Sequence, residues 1–170
     1  MSRKYEIGCV TDNEDKFFAE VREVTLSQIV TRQLSDSKPV SIGKLYKKSK
    51  DLLLDEVALI ILDLCNFYNV KNNLTERQLM DVSYMIVSDY KHLNLLDLGL
   101  CFNEVKRSKR GKIYDRIDGG MIMDWIRTYE HERTEAIVSY RKRESDLHKG
   151  DNSERSSETT LGKFLKKWGN

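Results

Sequence analysis

Residues 74–140 read LTERQLMDVSYMIVSDYKHLNLLDLGLCFNEVKRSKRGKIYDRIDGGMIMDWIRTYEHERTEAIVSY, and the pattern along them is helix, helix, basic loop, helix. Thr75-Glu76-Arg77-Gln78 fits a capping box, in which the Thr hydroxyl takes the amide three residues on and Gln reaches back. Leu79, Val82, Ile86, Tyr90 and Leu93 follow at three- and four-residue steps, the period of one helix face. Asn94 caps the next helix with Asp97 three positions on, and Leu95, Leu98, Phe102 and Val105 make its stripe. Cations at Lys106, Arg107 and Lys109 suit the carbonyl end of that helix, and Gly111 is its expected stop. Asp118 is the expected cap of a last long helix with Met121, Ile122, Trp125, Ile126, Tyr129, Ala136, Ile137 and Tyr140 on its apolar face.

Working outward, residues 51–68 are the most apolar element, with only Asp55, Glu56 and Asp63 left for a polar stripe. A helix apolar on most sides is a central one. A buried strand is the alternative for residues 57–62, but length and Leu/Ala content favour helix. Residues 41–48 form a short helix on Ile42, Leu45 and Tyr46, and Pro39 marks the entry to the compact domain. Residues 24–34 allow a short helix capped at Thr25 or Ser27. Residues 1–23 are polar, with one apolar cluster at Phe17, Phe18 and Val21, and read as an arm that orders on docking.

These elements predict an all-α chain: a compact bundle of about five helices with a flexible N-terminal arm and C-terminal tail. The expected boundaries are 1–38 for the arm with its short helix, 39–145 for the helical domain and 146–170 for the tail. Beyond Tyr140 the helix is expected to fray, and residues 147–160 to form a polar linker. Residues 161–168 then place Leu161, Phe164, Leu165 and Trp168 at i, i+3, i+4 and i+7. A peptide this short does not hold a helix alone in water. It packs back on the domain, fills a partner's groove or lies on a membrane surface, the last being disfavoured by its length.

With 170 residues, one proline and nine glycines, the chain suits one helical domain of ordinary size with few breakers. A formal net charge of +2 gives no argument for nucleic acid by itself. Cys9, Cys65 and Cys101 form no CxxC and no even-numbered framework, which points to reduced thiols in a cytosol. No signal core precedes the domain, and the longest apolar run is far short of a membrane span of roughly 20 residues. The expected location is therefore the cytoplasm of a bacterial host cell, with virion association as a variant.

Catalytic patterns are weak. His92, His131 and His148 have no ligand at metal spacing, and His131 among Glu130, Glu132 and Glu135 lacks a matching set on a second helix. Asp115, Asp118 and Asp124 with Lys112 invite a nuclease reading, but Asp118 is explained by capping. No phosphate-cradling loop occurs, since Gly119-Gly120 lacks a preceding strand. The expectation is a non-enzymatic protein without metal or cofactor.

The basic loop is the stronger candidate. Lys106, Arg107, Lys109, Arg110, Lys112 and Arg116 stand against Asp115 alone, a balance of +5 over residues 106–116. Such a run contacts phosphate through counterion release, and Tyr114 is placed to stack on a base. A solvated loop that only caps the preceding helix, and an acidic protein partner, are the alternatives.

One resemblance bears on this. Leu74-Thr75-Glu76 with Gln78, Ile86, Asp89-Tyr90, Leu93-Asn94, the basic glycine-containing loop with Tyr114, Ile117-Asp118-Gly119, Trp125, Tyr129 and Glu132-Arg133 form a recognisable string. It resembles small helical proteins of unknown function from phages and mobile elements of Bacteroides-type gut bacteria, over residues 74–133. A second small residue is expected near the tyrosine, where this chain has Arg110-Gly111-Lys112-Ile113-Tyr114. That family has no agreed activity, but a DNA-contacting element with a tethered amphipathic peptide is similar in layout to replisome accessory proteins and helicase loaders. By this analogy of architecture and setting the expectation is a DNA-replication accessory protein, with DNA on the loop and a replicative helicase or other protein on the C-terminal peptide. The alternative is a structural or adaptor protein, such as a virion component or host-factor antagonist, without nucleic-acid binding.

Overall fold

In the computed structural model, residues 10–168 are described apart from 12, 36, 37 and 69, with side chains as far as residue 147. The described residues form seven α-helices and no strand: α1 (Glu14–Glu23), α2 (Leu26–Leu34), α3 (Ile42–Lys48), α4 (Lys50–Tyr68), α5 (Glu76–Asp89), α6 (Leu95–Lys106) and α7 (Gly119–Trp168). The all-α expectation holds, but the helix count is seven where about five are predicted. The chain divides into two units, Met1–Arg133 and Thr134–Asn170.

The most enclosed helix in the first unit is α6, in which every residue from Leu95 to Phe102 is buried. Leu96, Leu100 and Cys101 close the faces that its Leu95, Leu98, Phe102 stripe leaves open. Against α6 pack α1, α2 and α4, while α5 and α3 pack on α4. α4 buries Leu53, Leu54, Val57, Ile60, Ile61 and Leu64, but Leu62 and Phe67 on it are exposed. Its Glu56 does not belong to a solvent stripe as the sequence suggests. The side chain is buried and its Oε2 accepts the Val10 amide at 2.8 Å, with Oε1 accepting the Thr11 hydroxyl at 3.0 Å.

Within the expected arm, residues Glu14–Glu23 are a helical part of the core. Phe17, Phe18 and Val21 are buried in it, against α6. Gly99 makes this possible, since a Cβ there would stand 2.5 Å from Val21 Cγ2 and 3.3 Å from Phe17 Cζ. Three apolar residues close together in a polar stretch are too few to announce a helix, and the notch that receives them lies about 80 residues further along the chain.

Local signals for helix starts are obeyed. Capping boxes close at Thr25–Gln28, Thr75–Gln78 and Asn94–Asp97. Asp118 Oδ1 accepts the Met121 amide at 3.0 Å, so the expected cap of α7 is present. The start of α3 is completed in tertiary space instead, by Ile42 and Gly43 amides on the Leu93 and Lys91 carbonyls at 2.7 and 2.8 Å. On α7, Ile122, Trp125, Ile126 and Tyr129 are buried. The helix continues to Trp168, where fraying near Tyr140 is predicted. The single proline of the chain lies at position 39, so no proline breaks this run.

The stop of α6 differs from expectation. The Lys109 amide bonds the Glu104 carbonyl at 3.0 Å and the Ser108 amide bonds Val105 at 2.8 Å, the pair of bonds of a Schellman motif. Ser108 therefore takes the left-handed position at φ 57°, and Gly111, at φ 100°, serves a later turn. A serine there lacks glycine's freedom from Cβ strain. Ser108→Gly is expected to raise the unfolding free energy by about 1 kcal/mol, read as a higher urea midpoint with unchanged slope. An unchanged or lower midpoint would show that Ser108 is not strained.

Burial also fixes how the fold answers to alkali. It pushes the Cys65 thiol up from 9.0 to about 11, and it raises Cys101 too. Tyr129 is raised by burial first, then by the charge and hydrogen bond of Asp97. Each group keeps its proton in the folded state at pH values where the unfolded chain has lost it. Their contribution is thus complete below the unfolded values and is lost as pH rises. Between pH 9 and 11, stability should fall by about 1.4 kcal/mol per pH unit for each group titrating only when unfolded. Denaturant melts across that range measure it, and a flat profile would contradict the burial of these side chains.

Candidate nucleic-acid and partner interface

The connection from α6 to α7 is fastened at several points. Asn72 and Arg116 form an isolated parallel bridge, with the Asn72 amide on the Asp115 carbonyl at 3.3 Å and the Ile117 amide on the Asn72 carbonyl at 3.1 Å. Ile117 is buried beneath it, and Arg116 Nε lies 3.4 Å from Asp118 Oδ2. The loop is thus held against the α4–α5 connection at its far end and by the Schellman bonds at its near end.

The seven predicted contact residues separate into three groups. Lys106 and Arg107 face the side of α1 and α4. The Lys106 ammonium pairs with Asp63 and lies 5.9 Å from the Phe18 ring centre and 5.4 Å from that of Phe67. Arg107 donates to the Arg22 carbonyl at 2.9 Å.

Arg110 forms the second group, and its side chain is drawn inward between two carboxylates. Its side chain is 5% exposed and its Nη2 lies 2.6 Å from both Glu104 Oε2 and Glu132 Oε2. The guanidinium also lies 5.5 Å from the centre of the Tyr129 ring. Burial works to lower its pKa, but the hydrogen bonds to Glu132 and Glu104 and the neighbouring negative charge outweigh it, so the group stays above its ordinary value.

The third group is exposed. Tyr114 is 83% exposed, and Lys109, Lys112 and Arg116 are exposed around it. Lys109 stands 3.6 Å from Glu104, whereas Lys112 has no ion-pair partner among the described residues.

The fourfold apolar set Leu161, Phe164, Leu165 and Trp168 lies outside the residues whose side chains are described, as do Cys9 and His148. His92 Nε2 lies 2.8 Å from Glu130, Glu132 is engaged by Arg110, and Asp124 is 2.7 Å from Arg127. Among the described residues no three His, Cys, Asp or Glu side chains stand together as a metal site. No helix among them is long and apolar enough to cross a membrane.

A cleft is the feature that sequence reasoning missed. It has a volume of about 490 Å³ and opens where α1 and α4 both ride on α6, with Phe18, Phe67, Asp63, Lys106, Arg22 and Arg107 around it. The available signal was Phe67, an aromatic side chain at the end of an otherwise core-facing helix. It is 58% exposed.

No family model, curated protein or solved structure matches this chain.

The division of the cations can be measured. Arg110→Ala leaves Glu104 and Glu132 facing each other without their shared cation. It should cost about 2–4 kcal/mol, below the full value for a buried pair because Glu132 is half exposed. Lys112→Ala should stay within about 0.5 kcal/mol of the parent. Equal effects in chemical melts would undo the distinction.

Proposed function

We propose that the chain is a non-enzymatic accessory protein of phage or mobile-element DNA replication, a helicase-loader-like adaptor. Its DNA contact is made by the loop tip at Lys109, Lys112, Tyr114 and Arg116, and its protein contact by the peptide carrying Leu161, Phe164, Leu165 and Trp168. The exposure of Tyr114 on an anchored loop is the observation that carries the reading. An aromatic ring held in water at 83% exposure offers a stacking face to an unpaired base, and the cations beside it suit the flanking phosphates. The geometry favours single-stranded over duplex DNA, because a single ring stacks only on a base free of its own stack. Lys106 and Arg110 take no part, since Asp63 holds the first and Glu104 and Glu132 the second, and Arg107 turns to the side of Arg22, away from the tip.

The second reading, a structural or adaptor protein without nucleic-acid contact, is favoured by one specific observation. Removing those three cations from the set leaves Lys109, Lys112 and Arg116 against Asp115, a balance of +2 in place of +5.

Anisotropy of a fluorescein-labelled oligothymidylate separates the two. Wild type should bind with a salt slope of about −2, as expected for roughly three phosphate contacts on a single strand. Tyr114→Ala should weaken binding by about fivefold to a hundredfold at unchanged slope, and Lys112→Ala with Arg116→Ala should flatten the slope. Binding that is absent, or insensitive both to salt and to these substitutions, would leave the second reading standing.

A further inference from the structure

The cleft between α1 and α4 is chemically distinct from the loop tip. Its floor is formed by α6, where Gly99 lets Val21 approach so closely that a Cβ would collide at 2.5 Å. The Phe18 and Phe67 rings flank the Lys106 ammonium, which has Asp63 as its carboxylate partner. At the rim stand Arg22 and Arg107, bound to each other only through a guanidinium on a backbone carbonyl. Elsewhere in the described first unit most guanidinium groups meet carboxylates, Arg32 on Glu20, Arg110 on Glu104 and Glu132, Arg116 on Asp118, Arg127 on Asp124 and Arg133 on Asp97, and Arg77 alone does not. Arg22 and Arg107 have no carboxylate partner among the described residues, and they share a cleft with the most exposed apolar side chain of α4.

We propose that this cleft binds an acidic peptide of a partner protein, with an apolar side chain against Phe67 and carboxylates on Arg22 and Arg107. Three cations against the single Asp63 leave the cleft at +2. An aromatic anchor ringed by arginines is the composition of a protein-binding hot spot. A nucleic-acid strand fits less well. Its backbone would pass beside the Asp63 carboxylate and needs a row of phosphate contacts, where this cleft offers two guanidinium groups without a carboxylate partner among the described residues. The chain's own C-terminal peptide carries Lys163, Lys166 and Lys167, the wrong charge for this site. The proposal does not depend on DNA contact at Tyr114.

Selection of a displayed library of random dodecapeptides on the immobilised full chain tests it. Enriched peptides should carry several Asp or Glu residues next to Phe, Leu or Trp. As synthetic peptides in anisotropy titrations, they should lose about tenfold or more in affinity for Phe67→Ala and for Arg107→Glu. The Tyr114→Ala chain should bind them as wild type does. Circular dichroism melts of each variant establish that it is folded, and Phe67 and Arg107 are exposed enough to be replaced without opening the core. No enrichment of acidic sequences, or enriched peptides that bind Phe67→Ala and Arg107→Glu as tightly as wild type, would overturn the proposal. Oligothymidylate binding that is lost in Arg107→Glu, with no peptide enriched, would assign the cleft to nucleic acid instead and equally overturn it.

Discussion

The first unit depends on one buried carboxylate. Asp97 lies on α6, without exposure to solvent, and accepts the Asn94 amide at 2.9 Å through Oδ2. Its Oδ1 accepts the Tyr129 hydroxyl at 2.8 Å and Arg133 Nε at 3.0 Å. One side chain thus completes the start of α6 and receives two donors from α7, four residues apart and so on one helix face. Burial raises its pKa, and the Arg133 charge and the three donors oppose that shift. A buried pair of this kind is poor evidence of net stability, but losing either partner strands the other in a low-dielectric interior. Its two bonds tie residues 129 and 133, the part of α7 within the first unit, to α6.

That anchor organises the neighbouring charges. With Tyr129 held by Asp97, Arg110 lies against the ring and spans Glu104 and Glu132. The direction in which the loop leaves α6 follows from this placement and from the Schellman bonds. The tip at Tyr114 and the cleft at Phe67 are what the packing leaves open around that fixed segment: cations drawn inward are structural, and those turned out are available. Asn94, Tyr129, Glu132 and Arg133 all belong to the Asp97 and Arg110 networks.

What could be read from the sequence was local. Capping boxes and apolar period involve residues three or four apart, and their energetics are nearly independent of the rest of the chain, so Thr75–Gln78, Asn94–Asp97 and Asp118 were legible. Helix α1 was not, because Phe17, Phe18 and Val21 acquire meaning only from the notch at Gly99. Gly111 looked like the stop because glycine is the usual left-handed residue. The bond pattern instead puts Ser108 there.

The candidate site shows the same limit more sharply. The sequence by itself determined that the chain is helical, where most helices begin and that cations crowd the α6–α7 connection. It treated those cations as equivalent, because charge summed along a chain contains no direction. Only the tertiary structure decided that Arg110 is 5% exposed between two glutamates, that Lys106 and Arg107 face a cleft, and that Tyr114 stands in water. The reason is that an ion pair depends on distance in space. Asp63, Glu132 and Arg22, which dispose of these cations, lie 43, 22 and 85 residues away along the chain.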